Sequence, residues 1–203
     1  MLQITAQLPF SAKLLSPPPK KPSTRDREYL RTDEINAMIR AAKKVGRHGI
    51  RDGAIILLMF RHGLRTAELV ALKWTQIDLA GGYIEVHRVK HGRDSIHPLR
   101  SPEIRALLQI QRDYADTSYV FVSERKAPLS TRSIRHIIAR AGELAGLPFQ
   151  VHPRQLRHSC GYYLATKGQD TRAIQDYLGH RNIQHTVRYT QLNPSRFESF
   201  WTD

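Results

Sequence analysis

Apolar residues recur along most of this chain at helical spacing. In TDEINAMIRAAKK, Ile35, Met38, Ile39 and Ala42 fall on one helical face, and acidic residues occupy the first turn. A second helix is predicted from Arg51 to Arg61, with Gly63 as its stop. A third starts near Thr66 and covers AELVALKW. The period then changes from helical to alternating. YIEVHRVK alternates and is rich in β-formers, HGRD follows as a turn, and SIHPL returns as a second strand. Helix resumes over 102–113, and YVFVS reads as a further short strand. From Ser130 onward the pattern predicts helices over 131–145, 153–167, 171–178 and about 183–189, with Gly146, Gly168 and Gly179 as stops. The predicted fold class is mainly α with a small antiparallel β-sheet (α+β).

The ends of the chain differ from its middle. Residues 1–27 finish in SPPPKKPSTRDR, where consecutive prolines and basic residues predict an extended, flexible basic arm. The folded domain is expected over 28–192. The segment 193–203 carries Phe197, Phe200 and Trp201, which either fold back on the domain or anchor a docking contact with a neighbour.

Charge narrows the partner. The 203 residues hold 32 Lys plus Arg against 18 Asp plus Glu, a net charge of +14. An excess of this size costs stability through self-repulsion and suits an anionic partner, with nucleic acid first. The most apolar run, Ala54 to Phe60, is too short to span a bilayer, so no membrane role is expected. The one cysteine, Cys160, admits no intrachain disulfide and fits a cytoplasmic, nucleoid-associated protein. His87, His91 and His97 crowd the predicted hairpin without the cysteine or carboxylate partners that a zinc site requires, so no metal is expected.

Five residues stand at the ends of predicted elements, where side chains gather around a ligand. They are Arg65, Lys90, Arg157, His180 and Tyr189. Each has an ordinary structural reading. Arg65 can pair with Glu68, Lys90 can be solvated at a hairpin end, His180 can complete a helix C-terminus, and Tyr189 can pack in the core. Together they match the needs of metal-free phosphodiester cleavage. Two arginines grip phosphate oxygens, a lysine supplies a proton, a histidine bonds the phosphate, and a tyrosine attacks. Surrounding cations are expected to favour the tyrosine phenolate.

HGLRTAELVALKW, LRHSCGYYLATKG and LGHRNIQHTVRYT are similar to the signature boxes of the tyrosine recombinases, or phage-type integrases. The resemblance covers residues 28–192 and is strongest to the short fimbrial phase-variation recombinases. It implies a tyrosine recombinase catalytic-domain fold and a site-specific recombinase that cuts and rejoins DNA without a cofactor. By resemblance, Arg65 and Arg157 clamp the scissile phosphate, Lys90 is the general acid, and His180 bonds the phosphate. Tyr189 is the nucleophile that forms a 3′-phosphotyrosyl bond, and Glu68 supports Arg65. Arg154 occupies a position where the family usually has histidine, and it is counted among the catalytic residues because arginine can still donate to a phosphate oxygen. Arginine stays protonated, so the group that deprotonates Tyr189 is left open. His152 and His158 are read as structural or DNA-contacting, since His158 sits about 100° from Arg157 on a helix. Arg132, Arg135 and Arg140 are expected to contact double-stranded DNA. Strand exchange implies a homotetramer assembled on DNA by a chain that is monomeric or weakly associated in solution. DNA inversion is one outcome the resemblance implies. A non-catalytic DNA-binding regulator and a type IB topoisomerase-like nicking enzyme are the alternatives.

Overall fold

The computed structural model describes residues 28–89 and 92–191. Lys90 and His91, the 1–27 arm and the tail with Phe197, Phe200 and Trp201 lie outside the described residues. Among the described residues, eight helices run in order: α1 (Thr32–Lys44), α2 (Gly49–Arg61), α3 (Thr66–Val70), α4 (Ser101–Asp113), α5 (Thr131–Leu144), α6 (Pro153–Thr166), α7 (Thr171–Leu178) and α8 (Gln184–Gln191). Three strands lie between α3 and α4: β1 (Ile77–Asp78), β2 (Tyr83–Val86) and β3 (Ser95–Pro98). They form an antiparallel sheet in the order β1-β2-β3, with Ile84 opposite Ile77 and His97. None of the described helices is long and apolar enough to cross a membrane.

Two sequence expectations need correction. The third helix ends at Val70, and a single 3₁₀ turn over Trp74–Gln76 follows it. YVFVS forms no strand. It makes only two isolated bridges, Lys73 to Tyr119 and Val122 to Pro128, because its neighbours are irregular chain with no ladder to extend. Its side chains still do what its pattern demands, since Val120, Phe121 and Val122 are fully buried.

Several helices start in the same way. A Glu or Gln at the third position accepts a hydrogen bond from the backbone N–H that precedes the first turn. Glu34 does so for Arg31 (2.8 Å), Glu68 for Arg65 (2.8 Å), Glu103 for Arg100 (2.9 Å) and Gln155 for His152 (2.7 Å). This satisfies a donor that the helix itself cannot pair.

The apolar side chains form two clusters. The larger joins α1, α2, α4, α5 and the sheet around Ile35, Met38, Ile55, Met59, Leu107 and Phe121. The smaller joins α6, α7 and α8 through Cys160, Ala165, Ile174, Leu178 and Tyr189. Gly63 stands where the two approach, with φ +56°. A Cβ there would fall 2.4 Å from Leu178 Cδ2, so both conformation and space require glycine.

Candidate active site

A cleft of about 540 Å³ opens beside that junction. Arg65 and Thr66 reach it from the start of α3, Arg154, Arg157 and His158 from α6, His180 from the loop after α7, and His185, Arg188 and Tyr189 from α8. Arg65, Arg154 with Arg157, His180 and Tyr189, drawn from four separate segments, thus line one space. Arg132, Arg135 and Arg140 are exposed on α5 and do not line it.

Each cation in the cleft is held by a specific acceptor. Glu68 takes the backbone N–H of Arg65 at 2.8 Å and its guanidinium at 2.6 Å. It also takes Arg88 Nη1 at 2.9 Å and the Val89 N–H at 3.3 Å. Burial opposes the charged carboxyl, but Arg88, the Arg65 N–H and the Arg65 guanidinium hold it below the usual carboxylate range. Arg157 donates to the carbonyls of Gly63 and Leu178. Burial, then the charges of Arg65 and Arg88, lower its pKa to about 10, which leaves it cationic near neutrality.

Arg88 escaped the sequence reading. Its side chain is fully buried and bonds Glu68 and the carbonyls of Gly63, His62 and Tyr177. The signal was present in the strand pattern: Ile84, Val86 and Arg88 are the inward positions of one alternation. A charge at an inward position must have a buried partner. Arg88 also ties the sheet to the cleft, and its N–H bonds Asp94 across the hairpin at 2.7 Å. On the far side of positions 90–91, Gly92 lies so close to Arg88 and the Gly179 carbonyl that a Cβ would meet them at 2.7 and 2.9 Å.

His180 is buried, and its Nδ1 faces Thr186 Oγ1 at 2.9 Å. Burial, with Arg157 and Arg65 nearby, lowers its pKa to about 3, so the ring is neutral. Tyr189 is 2% exposed. Its ring lies against α6 at Gly161, where a Cβ would stand 2.5 Å from Tyr189 Cε2. Burial raises the phenol to about 12, against the pull of Arg157 and Arg188. This corrects the expectation that cations favour the phenolate: in the free protein, desolvation outweighs them.

His158 also needs correction. It is a direct partner of Tyr189, with Nδ1 3.0 Å from the phenol oxygen, and its Nε2 accepts from Arg154 Nε at 3.0 Å. Helical spacing places His158 about 100° from Arg157. It cannot reveal that α8 crosses α6 on the His158–Gly161 face while Arg157 reaches the same cleft from another side. His152 is exposed and does not line the cleft.

Residues 28–196 match the family model described as the phage integrase family. This chain belongs to that family. It is 44% identical over 186 residues to the type 1 fimbriae regulatory protein FimB of Escherichia coli K12, covering 89% of this chain and 92% of FimB. The type 1 fimbriae regulatory protein FimE of the same strain is 45% identical over 181 residues, covering 86% of this chain and 91% of FimE. Among solved structures, XerA recombinase superposes with a TM-score of 0.74 at 32% identity, covering 90% of this chain and 65% of that one. XerH site-specific recombinase bound to its difH substrate gives 0.71 at 21% identity, covering 85% and 52%. The chain therefore spans most of the fimbrial relatives but only about half to two thirds of these larger recombinases.

Proposed function

We propose that this chain is a site-specific DNA recombinase acting through a 3′-phosphotyrosyl bond on Tyr189. The observation that carries the reading is convergence. Arg65, Arg157, His180 and Tyr189 come from four separate segments into one basic cleft, and a protein that only binds DNA needs no such gathering.

In this reading Arg65 and Arg157 hold the non-bridging oxygens of the scissile phosphate with fixed N–H donors. Neutral His180 donates a further hydrogen bond. Glu68 and Arg88 aim Arg65. Tyr189 attacks phosphorus, the bond to the 5′-oxygen breaks, and Lys90 protonates that oxygen. The phosphotyrosyl bond keeps the energy of the broken strand, so rejoining by another 5′-hydroxyl needs no cofactor. Arg132, Arg135 and Arg140 serve as phosphate contacts outside the cleft.

The likeness to the fimbrial relatives over most of their length supports inversion of a DNA segment over simple relaxation. We assign 28–192 as the catalytic unit, 1–27 as a basic arm and 193–203 as a docking segment. Strand exchange between two duplexes calls for four copies assembled on DNA, and the protein works at the nucleoid.

The test is a set of nicked suicide duplexes drawn from the DNA that flanks the protein's own gene, any repeats there included. A covalent protein–DNA adduct should form with wild type and vanish in Tyr189→Phe, with DNA binding retained. Binding without any adduct would favour the regulator.

A further inference from the structure

Arg154 and His158 stand one helical turn apart on α6, and the second touches the nucleophile. The contact between them fixes a proton. Arg154 stays protonated and can only donate, so His158 Nε2, which it bonds at 3.0 Å, must accept. A neutral imidazole with an accepting Nε2 carries its hydrogen on Nδ1. That nitrogen faces the Tyr189 oxygen at 3.0 Å. The free protein therefore points a donor at its own nucleophile, and His158 in this tautomer cannot take the tyrosine proton.

Arg154 is exposed and lines the cleft, while His158 is buried. A phosphate bound by Arg65 and Arg157 lies within the same space and offers Arg154 a stronger, charged acceptor than an imidazole nitrogen. Once Arg154 turns to the phosphate, Nε2 is free to carry the hydrogen and Nδ1 becomes the acceptor. The exchange between nitrogens passes through solvent in the open cleft.

We infer that His158 is the base that takes the Tyr189 proton, and that Arg154 withholds this base until a DNA phosphate draws it away. The inference rests on the recombinase reading. In cleavage, the Tyr189 proton passes to His158 Nδ1 as the oxygen–phosphorus bond forms. The bond from phosphorus to the 5′-oxygen breaks, and that oxygen takes its proton from Lys90. In rejoining, an incoming 5′-hydroxyl attacks phosphorus and gives its proton to Lys90, while His158 returns its proton to the departing phenolate. His158 touches a reacting atom and is a catalytic residue. Arg154 acts on it as a positioning residue.

The surroundings suit this role. His158 faces Arg154 and Arg157 on its own helix, Arg188 and Tyr189 on α8, and Glu28, whose carboxylate pairs with Arg188. Burial, then Arg188 and Arg154, hold its pKa near 4, which keeps the ring neutral at physiological pH. A bound phosphate offsets those cations and raises its basicity at the moment a base is required.

Two measurements on the full-length protein test this. Long-range ¹H–¹⁵N spectra of histidine-labelled protein report which ring nitrogen carries hydrogen. Free wild type should show His158 as the Nδ1–H form. Saturation with inorganic phosphate, or the change Arg154→Ala without phosphate, should convert it to the Nε2–H form. An Nε2–H form in the free protein, or no response to phosphate, overturns the role of Arg154.

The second measurement is the single-turnover rate of adduct formation on the suicide duplex. His158→Asn keeps a hydrogen-bonding group near the Nδ1 position but removes the base. It should slow cleavage on the order of 100-fold near neutrality. The rate of this variant should climb as pH approaches the Tyr189 pKa, where wild type stays flat. A His158→Asn protein with wild-type rate and pH profile overturns the role of His158. If wild type forms no adduct on any duplex, the recombinase reading falls and takes the base with it, while the spectra still decide the Arg154 contact.

Discussion

Gly161→Ala places one methyl group between α6 and Tyr189, the proposed nucleophile. Its Cβ would fall 2.5, 2.6 and 2.8 Å from Tyr189 Cε2, Cδ2 and Cζ. Carbon atoms in contact prefer about 3.5–4 Å, so the ring must retreat by roughly 1 Å. Forced overpacking of this kind costs about 1–3 kcal/mol. Alanine returns about 1 kcal/mol through its better helix propensity. The net destabilisation is then about 0–2 kcal/mol, a Tm loss of at most about 8 °C in a domain of this size. The larger effect falls on the chemistry. A retreat of 1 Å stretches the 3.0 Å contact between Tyr189 and His158 beyond hydrogen-bond length and moves the phenol oxygen off its line of attack. Misplacement on this scale costs about 100-fold in rate. Single-turnover adduct formation on the suicide duplex, beside a thermal melt, separates the two effects. A folded Gly161→Ala protein that cleaves at the wild-type rate would show that Tyr189 does not act from the position it occupies here.

Three further outcomes are expected. Arg88→Ala should cost about 3–5 kcal/mol, because it leaves the buried Glu68 carboxylate short of its main partner; urea unfolding measures this, and a loss under 1 kcal/mol would refute that pairing as a main support of the fold. Stability should fall as pH drops from 7.5 to 5.5. Unfolded histidines take up protons near pH 6.5, whereas buried His97, His158 and His180 resist protonation until about pH 3, 4 and 3. At full effect the three together amount to about 4 kcal/mol over that window, read as a shift in urea midpoint; an unchanged midpoint would count against their burial as neutral rings. Glu68, held low, adds its own loss only below about pH 4.3. Cys160 is buried and its thiol is pushed up to about 12 by desolvation, so native protein should resist iodoacetamide and react on unfolding. Rapid native labelling would contradict that.

The helical elements were legible because their apolar faces and end signals agree. Thr171–Leu178 matches its expected bounds, and Gly179 takes the left-handed conformation that a helix stop requires. The short strand pair before α4 was legible from its alternation. Tyr119–Ser123 was misread because burial alone resembles a strand, and pairing depends on a neighbour that sequence does not disclose. Convergence in the cleft was legible for Arg65, Arg157, His180 and Tyr189 through their boxes. Arg88 was passed over because Lys90, two positions on, drew attention to chemistry over packing. His158 was set aside because a helical wheel orders residues around one helix and carries no information about where another helix crosses it. Thr186, the partner of His180, gave no signal, since a threonine six residues away is ordinary on any helix.

Glu68 closes the first turn of α3, aims Arg65 and receives Arg88 and Val89 from the hairpin, all through one carboxyl group. Local folding and the placing of Arg65, the proposed phosphate grip, are therefore a single event. A copy whose α3 has frayed loses its hold on both Arg65 and the hairpin at once, and under the proposed mechanism it is disarmed before it can nick DNA. For an enzyme whose reaction intermediate is a broken strand, that coupling acts as a safety interlock: an incompletely folded copy cannot begin a cut that it is unable to reseal.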